Sequence, residues 1–252
     1  MRIDKFLSEK FGSRSKSAQA IEEGRVKVNG KSVTASYSVK VDDVIEISEA
    51  NEHFVSNGGY KLFKAIKDFG LNCDDKIYAD VGASNGGFTD CLLQNGAKKV
   101  YCIDVGDSQL DSSLRDKNVV IIDNFNARGI TSDLFAEQLD GVVIDVSFIS
   151  LTYILQAVGN VLSDNKEVIA LIKPQFECDS KTVGKNGIVK SADVHLKVIK
   201  KIYDFSLNCN LSPVALTTAP VKSGKNIEYL IRLIKNGKTC ASFESLIKNV
   251  KL

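Results

Sequence analysis

The chain lacks any apolar run approaching the ~20 residues that a membrane-crossing helix needs. Its opening, MRIDKFLSEK, is charged and has no apolar segment of the kind a secretory leader carries. No membrane partner is therefore expected, and a cytoplasmic location is. Histidine is scarce, with only His53 and His195, and none of the six cysteines forms a C-x-x-C pair. A metal site is not expected from such a set, and the thiols read as reduced side chains of a cytoplasmic protein. There are no internal repeats and no low-complexity tracts.

Net charge is also small, +2 over 252 residues. Its distribution says more than its sum. Residues 1–40 hold nine Lys or Arg against four Asp or Glu, so this head carries +5 and the remainder −3. A basic head on a mildly acidic body suggests an anionic partner at the head. With 44% apolar and 25% charged residues the composition is that of an ordinary globular protein, long enough for two small domains.

Hydrophobic spacing predicts a short helix over 2–11, with Ile3, Phe6, Leu7 and Phe11 on one side. Gly12 ends it, Ser13 caps a second helix reaching about Glu23, and Gly24 takes the position after its end. Residues 25–33 alternate polar and apolar side chains into Asn29-Gly30, a hairpin signal. A further strand is expected at 44–47. The polar stretch 48–56 reads as a linker. The resulting division is 1–50 for a small α+β domain, 51–58 for the linker and 59–252 for the main domain. Strands are expected there at 77–81, 100–104, 119–122, 142–146, 168–172, 214–218 and 228–234, with helices near 87–95 and 192–207. This alternation predicts an α/β fold with a doubly wound, Rossmann-like sheet. The last two strands, with no helix between them, suggest an antiparallel edge.

One loop carries chemistry. Asp80-Val81-Gly82-Ala83-Ser84-Asn85-Gly86-Gly87-Phe88-Thr89 leaves a strand and opens a helix. Glycines there let a ligand approach the backbone, and the helix start favours an anionic group. The G-x-x-x-G-G spacing departs from the dinucleotide pattern and favours the looser, carboxylate-binding loop of S-adenosyl-L-methionine enzymes. Asp104, ending the next strand, is placed to accept from ribose hydroxyls, with Val105 beside it. Asp123 and Asn126, after the third strand, are candidates for adenine contacts. The cofactor's methionine part is expected against Gly82, Ser84 and Gly87.

The methyl acceptor can be narrowed by exclusion. No cysteine adjoins any of the three prolines, so a cytosine-C5 nucleophile is missing. The place where exocyclic-amine enzymes carry a Pro-Pro motif reads Asp145-Val146-Ser147-Phe148. What remains near strand ends is Lys61, Asp145, Lys173 and Glu228. A ribose hydroxyl is a poor nucleophile and needs a base, which a lysine can supply. A base methyltransferase on ribosomal RNA is the disfavoured enzyme alternative.

These segments resemble the TlyA, or haemolysin A, family, in which an S4 RNA-binding domain precedes an FtsJ-like ribose methyltransferase domain. The resemblance spans nearly the whole chain. It rests on residues 2–7, 13–15 and 24–30 in the head, and on 58–62, 80–90, 104–106, 145–150, 172–177 and 226–229 in the body. It implies that Lys61, Asp145, Lys173 and Glu228 form the family's Lys-Asp-Lys-Glu set, with Lys173 taking the 2′-hydroxyl proton. It implies S-adenosyl-L-methionine on Asp80, Gly82, Ala83, Ser84, Gly86, Gly87, Phe88, Thr89, Asp104 and Val105, with Asp123 and Asn126 added as the adenine candidates named above. It implies RNA on Arg2, Lys5, Arg14, Lys16, Arg25, Lys27, Asn29 and Lys31. The acceptor would be a cytidine 2′-hydroxyl of ribosomal RNA, 23S favoured and 16S second, in free RNA or a subunit, with an effect on sensitivity to capreomycin-type antibiotics. A monomer is favoured. Two positions depart from the family pattern: Asn57 stands where arginine is usual, and Tyr60 where histidine is usual. The rival classes are a non-catalytic RNA-binding ribosome factor and a membrane-active haemolysin.

Overall fold

The computed structural model describes all residues except 23, 48–52, 108, 116, 185, 222–223 and 249. The chain divides into two compact units, Met1–His53 and Phe54–Leu252. The sequence-assigned linker at 51–58 begins outside the described residues. Of its remainder, Phe54 is buried and Ser56 caps the helix that starts at Asn57, so these belong to the second unit's packing.

In the first unit, helix α1 (Ile3–Phe6) and helix α2 (Ser8–Phe11) replace the single helix expected over 2–11. The break falls at Leu7, whose ψ of 1° leaves the helical region. Ile3 and Leu7 lie in the core and Phe11 packs against it, at the i, i+4 spacing of one face. Phe6, expected with them, lies off that line and is half exposed. Helix α3 (Arg14–Glu22) starts with the Ser13 hydroxyl accepting from Lys16 N. It ends in a left-handed Gly24, with Arg25 N reaching back to Ala20 O. Strand β1 (Val26–Val28) then pairs with β2 (Lys31–Ser32) and β3 (Ile45–Ile47) in an antiparallel sheet of order β2-β1-β3. Asn29 and Gly30 both take positive φ, 52° and 74°, as the two-residue hairpin turn demands.

The second unit opens with α4 (Asn57–Phe69) and alternates thereafter: β4 (Ile77–Val81), α5 (Gly87–Gln94), β5 (Lys99–Ile103), β6 (Val119–Ile122), β7 (Gly141–Ile144), α6 (Thr152–Val161), β8 (Glu167–Ile172), α7 (Pro174–Glu177), α8 (Ala192–Asn208), β9 (Leu211–Thr218), β10 (Tyr229–Lys235) and α9 (Phe243–Ile247). The seven strands order as β6-β5-β4-β7-β8-β10-β9. Strands β6 through β8 are parallel, and β10 runs against both of its neighbours. The reversed strand is thus the last but one, and β9 forms the rim. Pro213 is tolerated there because an edge strand has an unpaired side.

Alternation along the strands assigns the two faces. Ala79, Val81, Tyr101, Ile103, Val142, Ile144, Ala170 and Ile172 join the core beneath α6 and α8. Tyr78, Val100, Cys102, Val143, Ile169 and Leu171 join the opposite core beneath α4 and α5. Both faces being covered, β8 is buried along its whole length. The chain moves one way across the sheet from β4 to β5 and β6, and the other way to β7 and β8. A crevice must therefore open where the strand order reverses, beyond the carboxyl ends of β4 and β7.

Candidate active site

A cleft of about 380 Å³ lies at that reversal, lined by residues after β4 (Gly82, Ser84), β5 (Asp104, Val105, Gln109) and β7 (Asp145 to Ile149), with Phe125 and Asn126 beyond β6. The loops after β4 and β7 approach so closely that only glycine fits between them. Gly82 has φ of 83°, and a Cβ on it would stand 2.7 Å from Asp145 O.

Asp104 accepts from Ser84 N at 2.7 Å through one oxygen and from Gly106 N at 2.8 Å through the other. It thereby holds the β4 and β5 loops together at the cleft mouth. Asp80, in β4 two residues before Gly82, is fully buried. One of its oxygens accepts from the Thr89 hydroxyl at 2.7 Å, and the other has no hydrogen-bond partner among the described residues. Burial raises its carboxyl to about 7, against the Thr89 bond, and the nearby charges of Asp145 and Asp104 push the same way.

The twelve residues assigned to a cofactor therefore separate. Gly82, Ser84, Asp104, Val105 and Asn126 line the cleft. Ala83, Phe88 and Thr89 are buried within the second unit, and Asp123 is partly buried beyond β6. Gly86 sits under Leu110 and Leu114. Gly87 packs against Ser56, Gly58 and Gly59, where a Cβ would stand 2.1 Å from Ser56 Oγ. These glycines allow α5 to seat against α4 and the 110–114 turn.

Lys61, Asp145, Lys173 and Glu228 are set out by the sheet as two ion pairs. Lys61 Nζ, one turn into α4, donates to Glu228 Oε2 at 2.7 Å. Lys173 Nζ stands 2.6 Å from Asp145 Oδ1, off the line of a hydrogen bond, and donates to Ser147 Oγ at 2.7 Å. The pairs are linked by register and by one side chain. Ile172 pairs with Tyr229, which puts Lys173 and Glu228 at the same end of neighbouring strands, and Gln175 Nε2 reaches Glu228 Oε1 at 3.3 Å. Nearby, Phe148 is 90% exposed with φ of 63°, a strained setting for an aromatic residue, and its ring lies 5.0 Å from that of Phe176.

An FtsJ-like methyltransferase domain matches residues 54–235, and an S4 domain matches residues 1–45. Hemolysin A of Brachyspira hyodysenteriae is 42% identical over 93% of this chain and 100% of its own. A 23S rRNA (cytidine-2'-O)-methyltransferase, TlyA of Campylobacter jejuni, is 33% identical over 94% of this chain and 100% of its own. The chain belongs to the TlyA family of FtsJ-like methyltransferases. A hemolysin-type crystal structure from Lactococcus lactis superposes with a TM-score of 0.73 at 44% identity, covering 77% of this TlyA-family chain and 97% of its own. Among the described residues no helix is long and apolar enough to cross a membrane, and no group of side chains is arranged to hold a metal ion.

In the S4 domain of this TlyA-family chain, Arg2 and Arg14 both donate to the buried Asp4, at 2.9 and 3.1 Å, with their guanidiniums half exposed. Lys5, Lys16, Lys27 and Lys31 are exposed. Arg25 lies over the Phe11 ring at 5.4 Å. Asn29 turns its amide inward, to Asp43 Oδ1 and from Val44 N, which fixes the hairpin. In the methyltransferase domain, Phe125, Gln109 and Phe148 at the cleft, and Gln175 beside Glu228, had no separate signal in the sequence. Ser147 and Gln175 lay inside recognised motifs, but only the fold aims them at Lys173 and Glu228.

Proposed function

We propose that this chain transfers the methyl group of S-adenosyl-L-methionine to a cytidine ribose 2′-hydroxyl of ribosomal RNA, acting in the cytoplasm, with 23S RNA the favoured substrate and 16S RNA second. The observation that carries this reading is Lys173 Nζ, held by Asp145 and Ser147, which themselves line the cleft at the ends of β4 and β7.

The cleft fits the cofactor. Its lining carries the Asp104 carboxylate, suited to a pair of hydroxyls, and two residues before Gly82 the buried Asp80 keeps one oxygen with no partner among the described residues, suited to an ammonium. When bound, S-adenosyl-L-methionine supplies a methyl group made electrophilic by its sulfonium. Gly82 would admit its methionine part, Asp104 would hold its ribose, and Phe125 and Asn126 would bound the space for its adenine. As the RNA 2′-oxygen took the methyl group and sulfur kept the electron pair of the broken C–S bond, the hydroxyl proton would pass to Lys173 Nζ, acting as the base. Asp145 and Ser147 aim that nitrogen. Lys61, fixed by Glu228 and through it by Gln175, borders the ribose and its phosphate. Phe148 and Phe176 offer apolar faces on which an unstacked base can rest. The S4 domain supplies cations to the RNA backbone.

The test is transfer from labelled S-adenosyl-L-methionine to unmodified 23S and 16S RNA and to the subunits, wild type beside Lys173→Ala. Products are mapped by resistance to alkaline cleavage. A resistant cytidine that disappears in the variant supports the reading. Label on a nucleotide whose backbone remains cleavable would make a base the acceptor. No transfer to any form would turn the chain into a binding factor.

A further inference from the structure

Two short segments carry the groups around Lys173 Nζ. One is the 145–151 loop after β7, with Asp145, Ser147 and the strained Phe148. The other is Lys173 with the single turn of α7. Neither is held by strand pairing beyond the sheet edge. Both end on one side chain. Glu177, the last residue of α7, accepts from Leu151 N at 2.5 Å through Oε1 and from Ser150 Oγ at 2.7 Å through Oε2. Its carboxylate is only 2% exposed, and its charge is met by Lys201 of α8 at 2.8 Å. Lys201 also donates to Glu177 O at 3.1 Å and Ser150 Oγ at 3.3 Å.

A buried carboxylate is costly unless it is paired and its lone pairs are used. Here both conditions are met, and the way they are met is informative. A glutamate that only docked α7 on α8 would need Lys201 alone. Two of its three side-chain partners instead belong to the loop that carries Asp145 and Ser147. The carboxylate thus ties the far end of one segment to the far end of the other, four residues from Lys173 and six or fewer from Asp145. With both ends of each segment fixed, at the sheet and at Glu177, the separation of Lys173 Nζ from Asp145 and Ser147 has little freedom. The left-handed Phe148 backbone is closed by the same tie, since Ser150 and Leu151 follow it directly.

We infer that Glu177, charge-balanced by Lys201, is a positioning residue for methyl transfer: it sets the geometry of the Lys173–Asp145–Ser147 group without touching substrate or cofactor. The inference rests on the proposed roles of Lys173 and Asp145. It predicts a loss in the chemical step from a change outside the cleft.

The experiment measures single-turnover methyl transfer to ribosomal RNA across pH, together with cofactor affinity and Tm, for the full chain. Glu177→Gln keeps the volume but removes the charge and one acceptor. It should lower the single-turnover rate about tenfold or more and displace its pH profile, with cofactor affinity and RNA KM within about twofold, because small displacements of a reacting group are expensive in rate. Lys201→Arg should stay near the wild-type rate. Glu137→Gln is the control: it also removes a Glu–Lys pair, with Lys99 at the opposite end of the parallel strands, and should change Tm without changing rate or profile. A Glu177→Gln enzyme with wild-type rate and pH profile overturns the inference, whatever its Tm. So does a loss of cofactor binding that matches the loss of rate. If Glu177→Gln does not fold, Ser150→Ala reads the same link, with about threefold or greater loss expected and an unchanged rate contradicting it. Wild type active, Lys173→Ala inactive and Glu177→Gln fully active would remove this inference alone. An inactive wild type would remove the proposed function and this inference with it.

Discussion

The two units handle charge in opposite ways. In the S4 domain the acid is buried and the cations face out: Asp4 draws in, and Arg2 and Arg14 keep half of their surface in solvent. In the methyltransferase domain both partners of each ion pair turn inward, Lys173 with Asp145 and Lys61 with Glu228, and all four side chains are at most 22% exposed. Outward guanidiniums on a fixed acid suit binding to a phosphate backbone, where charge matters more than exact placement. Inward lysine nitrogens suit chemistry, where placement matters more than charge.

If that contrast holds, variants in the two units should affect different measurements. The largest effect is expected from Lys173→Ala, which should lower transfer by about a hundred- to ten-thousandfold, with RNA affinity and cofactor affinity nearly unchanged. Arg14→Ala should weaken RNA binding about tenfold and reduce the salt dependence of binding by about one counterion. Cofactor affinity, read by titration calorimetry, should not move; an equal loss there would abolish the division between the units.

The buried acids should give pH dependences of opposite sign. Asp80, raised to about 7 chiefly by burial, keeps its proton in the folded chain where the unfolded chain has lost it. Between about pH 4 and pH 7 its contribution to stability therefore falls as pH rises. Asp80→Asn should flatten this part of the Tm profile of the ligand-free protein. Asp4 is held below the usual carboxylate range, first by its hydrogen bond from Arg2 and then by Arg14, against the cost of burial. Its contribution is present at neutral pH and lost as pH falls below about 4. Asp4→Asn should change only that acid limb, the smallest of these effects. Hydrogen exchange resolved by segment separates the units. The same slope for both acids would mean that their surroundings do not differ as described.

Much of this was legible in the sequence because its signals are local or periodic. Short apolar runs placed all seven strands of the large sheet, and the Asn29-Gly30 turn and the left-handed Gly24 followed from residue type. The misses have a common cause. The helix expected over 2–11 breaks at Leu7, because the first unit's core rewards the Ile3, Leu7, Phe11 line and leaves Phe6 outside it. Gly86 and Gly87 were read only for a ligand, and the fold adds a packing need for their missing Cβ that no spacing announced. Glu177 and Lys201 gave no separate signal, since a tie between a loop and two helices has no spacing to read.

The sequence by itself determined the order and type of the elements, the glycine at 82 and the presence of two lysines and two acids near strand ends. These follow from local backbone preference and from short apolar runs that alternate with helical spacing. Only the tertiary structure decided how the four charges pair, which part of the glycine loop faces the cleft, and that Ser147, Gln175 and Glu177 stand behind them. Those outcomes depend on strand order and register, which bring Ile172 beside Tyr229 across more than fifty residues of chain.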